Sequence, residues 1–188
     1  MRLRCLIFAS ALVFTFTANA VAQSAANETY TGTMVGIGRS RSVSRTFALT
    51  LKGRTPDAEV ARDVAILAEG RQDALLEAID GRDLGYFSLG GQLGRRLNFV
   101  TETKLANGNR KLMILFERWM NVYELRSGAR STDYPFSYVE LILDPDGRGE
   151  GTFIPAARVR FVSGNQVEVE NFGIYPARLF GVRRRNSG

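Results

Sequence analysis

The chain has 188 residues, 45% of them hydrophobic, and a formal charge of +6 with no histidine and one cysteine. Three lysines, Lys52, Lys104 and Lys111, leave 22 arginines among its 25 basic residues. The missing imidazole excludes Ser-His-Asp and Cys-His mechanisms and histidine-ligated zinc, so an enzyme built on this chain would work with carboxylates, Tyr, Lys or Arg.

In chain order, Arg2 and Arg4 precede an apolar run, Leu6 to Phe16, and small residues then alternate from Thr17 to Ala22. That order of charged, apolar and small-residue regions is the pattern of a secretory signal peptide. The run is shorter than the roughly 20 apolar residues that span a bilayer. Two cleavage sites fit, before Val21 or before Gln23, and the polar stretch after Ala22 favours the second. Cys5 precedes the apolar run rather than following it at the cut, so lipidation is not expected. The expectation is a periplasmic or extracellular protein with no transmembrane segment after cleavage. It would carry a charge of about +4 and no thiol, and would fold in an oxidising space on its core alone. About 165 residues suit one domain, set at residues 30–183, between a flexible leader at 23–29 and a basic tail at 184–188.

A first strand is expected over Tyr30–Val35. A second covers Arg45–Lys52, where Phe47, Leu49 and Leu51 alternate with Thr46, Ala48 and Thr50. The period then changes. Thr55 can cap a helix, Pro56 fits its first position, and Asp57 and Glu59 suit its positive end. Val60, Ala61, Val64, Ala65, Leu67 and Ala68 share one face, with Glu59, Arg62, Asp63 and Glu69 on the other. A second helix, Gln72–Asp80, points Leu75, Leu76 and Ile79 inward and ends at Gly81. β signals resume at Leu84–Leu89. Leu97–Lys104 and Arg110–Arg118 form a hairpin across Asn107-Gly108. Further strands are expected at Trp119–Leu125, Phe136–Leu143, Thr152–Val162, Gln166–Phe172 and Arg178–Val182. The fold class expected is α+β: a mostly antiparallel sandwich or barrel-like sheet of about eight or nine short strands with one inserted helical hairpin.

Ser131-Thr-Asp-Tyr-Pro-Phe136, Glu140-Leu-Ile-Leu-Asp144 with Gly147, Gly149, Glu150 and Gly151, Pro155-Ala-Ala157, Glu170-Asn171, Pro176, Leu179 and Val182 form a pattern. With Gly70 to Leu76 it resembles a family of exported bacterial proteins over about two thirds of the predicted mature chain. The resemblance implies a shared exported domain. It brings no activity, and no functional residue is carried over.

Several constellations invite a chemical reading. Asp144-Pro-Asp146-Gly-Arg-Gly starts like a calcium loop, but Arg148 and Pro155 fall where liganding side chains are needed, so a hairpin turn is expected and no metal. Gly36-x-Gly38 lacks the third glycine of a dinucleotide loop, since Arg41 stands there, and no cofactor is expected. Glu102, Glu117, Glu124, Asp133 and Glu140 lie on or beside strands, where two could face each other across a sugar. Glu140 shares a face with Tyr138 and Ile142, so partial burial and a pairing with Arg158 or Arg160 are expected. Arg126 and Arg130 with Asp133 and Tyr134 make a basic and aromatic loop of the kind that binds anionic or glycan ligands. Trp119 is either core or a sugar-stacking platform. The candidate binding set is therefore Trp119, Arg126, Arg130, Asp133, Tyr134 and Glu140, with no catalytic residue assigned. The reading favours an exported non-enzymatic binding or interaction module. Its partner would be an anionic envelope component or another protein, not nucleic acid. The alternatives are a carboxylate-dependent hydrolase of an envelope polymer and a structural protein of the envelope.

Overall fold

A computed structural model describes residues 27–37, 42–118, 134–163, 166–171 and 176–185. Among these, the elements in chain order are β1 (Glu28–Ile37), β2 (Ser42–Leu51), α1 (Asp57–Ala68), α2 (Gln72–Ile79), β3 (Gly85–Leu89) and β4 (Arg95–Arg96). They continue with β5 (Phe99–Lys104), β6 (Arg110–Glu117), β7 (Phe136–Leu143), β8 (Arg148–Ser163), β9 (Gln166–Asn171) and β10 (Ala177–Arg185). The predicted signal peptide lies outside the described residues, as do Trp119, Glu124, Arg126, Arg130 and Asp133. Among the described residues no helix is long and apolar enough to cross a membrane.

Every strand pairing is antiparallel, in the order β4-β3-β2-β1-β10-β8-β7-β6-β5, with β9 added to β8. This is the α+β fold expected, with the helical hairpin inserted between β2 and β3. The two ends of the sheet are consecutive stretches of chain. Leu97 exchanges backbone hydrogen bonds with Leu84 and Gly85 beside β3, and the next residue, Asn98, donates to Leu115 of β6. Residues 95–104 thus leave β3 and join β6 without a break, and the sheet curls round until its ends meet. Glycines permit the tight coiling. A Cβ at Gly149 or Gly151 would collide with the carbonyl oxygen of Ile142 or Glu140 on the neighbouring strand, and glycine is the residue that admits so close a backbone approach.

Two cores follow from strand alternation. The inner one brings Tyr30, Phe47 and Leu49 from one wall against Leu112, Ile114 and Phe116 from the other. Phe87 is fully buried and contacts the rings of Phe47, Phe116 and Phe153, at centroid distances of 5.8, 5.8 and 5.2 Å. The outer core lies where the helical hairpin covers the sheet, with Leu67, Leu75 and Ile79 against Phe99, Leu115, Phe136 and Tyr138. β6 is therefore apolar on both faces, which is why Leu112-Met-Ile-Leu-Phe116 reads as an unbroken hydrophobic run.

Four local expectations are corrected. Thr55 does not cap α1: the N-cap residue is Pro56, with no side-chain cap bond. Thr55 instead donates its N–H to the carbonyl of Val100 (2.8 Å) and accepts the Val100 N–H on its hydroxyl (2.9 Å), tying the start of the helix to β5. Asp63, assigned to the solvent face, is 1% exposed, whereas Ala61, Ala65 and Ala68 are exposed. The buried stripe of α1 is Val60, Asp63, Val64 and Leu67, because Arg82 hydrogen-bonds both Asp63 oxygens at 2.6 and 3.1 Å. The expected Asn107-Gly108 hairpin forms, with a three-residue loop. Leu105 donates to Asn109, Gly108 donates to Leu105, and Gly108 takes a positive φ of 84°. Asp144 to Arg148 repeats this loop, and the Asp144 carboxylate accepts the Arg148 N–H at 2.8 Å, so the acidic turn serves backbone geometry. Finally, Glu28 belongs to β1, not to a leader. Arg184 and Arg185 belong to β10, paired with Tyr30 and Thr29, not to a tail.

One side chain substitutes for a missing strand. β7 pairs with β8 only as far as Ala157, and beyond it Gln72 of α2 accepts the Val159 N–H (2.9 Å) and donates to its carbonyl. The amide satisfies both backbone groups, as a neighbouring residue would.

Breaking the Asp63–Arg82 pair leaves a buried carboxylate without its main partner, which typically costs about 3–5 kcal/mol. Arg82→Gln should lower the urea unfolding free energy by about 3 kcal/mol at pH 7. A loss below about 1 kcal/mol would mean the pair is solvated.

Candidate functional site

At one end of the barrel the apolar interior gives way to charge. Arg54 binds Glu28 at 2.8 Å and Glu102 at 2.7 Å. Arg110 reaches the same two carboxylates at 3.4 and 3.3 Å, and Arg184 lies 3.6 Å from Glu28. The Tyr30 hydroxyl donates to Glu28 (3.2 Å) and accepts from Arg110 (2.9 Å), while its ring is fully buried in the core below. Strand alternation explains the cluster: Glu102 and Arg110 continue the inward positions Val100 and Leu112 past the last apolar layer. Burial pushes the Glu28 carboxyl up, but the Arg54 hydrogen bond and the charges of Arg54 and Arg110 outweigh it, and the net shift is downward. Burial pushes Tyr30 up, so its proton stays on the oxygen and is available to donate.

Arg54 and Glu102 also form one wall of a groove outside the barrel, between α1 and the outer face of β5, β6 and β7. The groove has a volume of about 750 Å³. Val60, Val64 and Leu67 of α1 line it with Phe99, Met113 and Leu115 of the sheet. Polar groups lie along its rim: Lys111 binds Glu140 at 2.7 Å, and the Tyr138 hydroxyl donates to the same carboxylate oxygen at 2.7 Å. Burial, followed by the bond to Glu140, raises Tyr138 strongly, so this phenol stays protonated. The groove exists because the hairpin is short. Leu75 and Ile79 pack over one part of the outer sheet face, and the part beside α1 is left open. A second hollow, about 560 Å³, lies between α2 and β3–β4 with Tyr86, Leu76, Arg95 and Glu117 in its walls. It offers no comparable apolar floor.

Of the six candidate binding residues from the sequence, two are described. Glu140 is partly buried, with its side chain 25% exposed, and it lines the groove. Its partners are Lys111 and Tyr138, not an arginine of β8: Arg160 pairs with Glu170 at 3.3 Å, and the residue opposite Glu140 on β8 is Thr152. Tyr134 donates to Glu170 at 3.0 Å, away from Glu140. Trp119, Arg126, Arg130 and Asp133 lie outside the described residues. Sequence reading did not single out Glu28, Arg54, Lys111 and Met113. The alternation of β6 could have placed Lys111 and Met113 on the outer face. Nothing local marks Glu28 or Arg54, whose partners lie on distant strands.

Comparison with protein-family models, with curated proteins and with solved structures finds no match to this chain. Functional inference therefore rests on the grooves, faces and charges described here.

Glu28 holds its proton less firmly in the folded state than in the unfolded chain. Its ion pairs thus stabilise the fold above the ordinary carboxylate pKa and are lost as pH falls through the depressed folded value. Wild-type stability should drop between pH 6 and pH 3, and Glu28→Gln should lose less over the same interval. Equal losses in both proteins, by urea unfolding at each pH, would remove Glu28 from the acid response.

Proposed function

We propose that the protein is an exported binding module whose site is the groove between α1 and β5–β7, and that it takes an amphiphilic ligand. The observation that carries this reading is an apolar floor outside a barrel whose interior is filled by its own side chains. A volume of about 750 Å³ falls within the range of small-molecule sites, which are mostly apolar with a few placed polar groups. The apolar body of the ligand lies on Val64, Leu67 and Met113, and its polar end meets Lys111, Glu140 and the Tyr138 hydroxyl. Export rests on the signal-like first 22 residues.

The hydrolase reading has less support. Glu102 and Glu140 line the same groove, as paired carboxylates must. Each is nevertheless held by cations, Glu102 by Arg54 and Arg110, and Glu140 by Lys111. Both carboxylates are thus already taken up by ion pairs of the fold, whereas glycoside hydrolysis needs both to act on the sugar.

Titration with the neutral apolar fluorophore N-phenyl-1-naphthylamine tests the site. Wild type should bind it saturably. Met113→Glu places a second carboxylate directly opposite Glu140 and should weaken binding at least tenfold, about 1.4 kcal/mol. Val64→Asp on the opposite wall should do the same. Thermal midpoints of the two variants report whether the fold is retained. Saturable binding unaffected by either substitution would place the ligand elsewhere, and no binding by the folded wild type would overturn the reading.

A further inference from the structure

The helical hairpin covers the outer side of β5 to β8. The outer side of β2, β1, β10 and the first half of β8 is not covered by either helix. Its composition is unusual. β10 presents Arg178, Phe180, Arg183 and Arg185 outward, on either side of a bulge between Leu179 and Val182. Arg183 stands directly opposite Arg148 of β8, and on its other side opposite Thr31 of β1. Arg185 stands opposite Thr29, and Phe180 opposite Thr33. The next strand continues the rows with Thr50, Ala48 and Thr46. Among the described residues of these strands, Glu150 is the carboxylate on this face, and it is engaged by Arg178 at 3.4 Å. Arg148, Arg183 and Arg185 are exposed, and none of the three has an ion pair or side-chain hydrogen bond among the described residues.

Like charges placed directly across a strand pair destabilise a sheet. The Arg148–Arg183 juxtaposition is therefore a cost to the isolated fold, and an anionic partner would turn it into a gain. Three arginines elsewhere in the molecule show the contrast. Arg54, Arg82 and Arg110 each have two carboxylates within 3.4 Å.

We propose that this arginine–threonine face docks on a membrane surface rich in anionic phospholipid. Guanidinium forms paired hydrogen bonds with phosphate oxygens, and threonine hydroxyls beside it add donors. Phe180 decides between a bilayer and a soluble polyanion. It is 41% exposed in the middle of the basic face, with the Arg178 guanidinium 5.5 Å from its ring centroid. An apolar ring on a basic face suits the boundary between headgroups and acyl chains, where the ring is buried and the cations stay with the phosphates. The face is also an open run of sheet rather than a cleft that could wrap a polymer. The inference is independent of the groove, which lies outside different strands, β5 to β7.

The test is sedimentation of the full protein with vesicles of phosphatidylcholine containing one quarter phosphatidylglycerol, in 0.1 M NaCl. Each basic residue near such a surface contributes about fivefold to binding. Arg148→Gln/Arg183→Gln/Arg185→Gln should therefore weaken partition about a hundredfold, with the thermal midpoint unchanged or raised. Phe180→Ser should weaken it severalfold with little change in salt dependence. Wild-type binding should vanish on pure phosphatidylcholine and fall steeply by 0.5 M NaCl. Equal vesicle binding by wild type and the triple variant would assign binding to another segment, such as the apolar Leu6–Phe16 run, and overturn the proposal. Binding to soluble heparin without binding to anionic vesicles would overturn it in favour of a polyanionic chain.

Discussion

The fold depends on one run of ten residues. Residues 95–104 serve β3 at their start and β6 at their end. Without that shared strand the sheet would have two open edges and a half-exposed apolar face. With it, the inner faces of β1, β2 and β3 meet those of β6, β7 and β8, and Phe87 can contact rings from three different strands. The consequence for function is direct. Large side chains occupy the inside of the barrel, so recognition is assigned to the surfaces that the barrel displays. The run itself is marked by its contents: Leu97 and Val100 are fully buried, while Arg95 and Arg96, before the crossing point, are exposed.

A closed barrel of this size needs only one apolar face per strand, and β6 and β7 have more. Met113, Leu115, Phe136 and Tyr138 point outward and would be exposed without the helical hairpin. The hairpin answers this in part. It is tied to the sheet by polar contacts that fix its position: Thr55 on Val100, Gln72 on Val159, and Asp63 on Arg82 just before β3. Those ties sit at the two helix starts and at the buried stripe of α1, so the hairpin cannot slide to cover the whole apolar strip. The groove is what remains. Its ionic wall is shared with the barrel mouth through Arg54 and Glu102, which links the closure of the barrel to the shape of the site.

Much of this was legible in the sequence, and the misses have a common cause. The alternation of Phe47, Leu49 and Leu51 defined the inward face of β2, the switch of period after Thr55 defined the hairpin, and the Gly108 and Gly147 turns set the register of their strands. Local rules failed where a polar residue takes a partner far along the chain. Asp63 reads as solvent-facing because its partner is 19 residues away. Thr55 reads as a helix cap because Val100, 45 residues on, is out of view. Arg184 and Arg185 read as a tail because consecutive arginines carry no strand period, yet β1 pairs with both. Glu140 reads as partly buried from the alternation of β7, and its side chain is 25% exposed. Its partner was misassigned because strand order, which puts β6 and Lys111 beside it, is not written in any local pattern.

Two groups of arginines differ in their surroundings, and the difference is itself a physical argument. Around the barrel mouth and under α1, three guanidinium groups are largely buried against carboxylates, with side-chain exposures of 14% for Arg82, 23% for Arg110 and 27% for Arg54. There they hold elements together, since one planar fork can satisfy two acceptors from different strands. On the outer face of β8 and β10 the arginines are exposed, stand opposite one another or opposite threonines, and meet a single carboxylate. Stability alone does not account for that second arrangement. A threonine or glutamate at Arg148 or Arg183 would suit the sheet better, by β propensity in one case and by opposite charge in the other. A sequence that sets Arg148 opposite Arg183, and places an exposed phenylalanine on the same face, fits the anionic surface proposed for it.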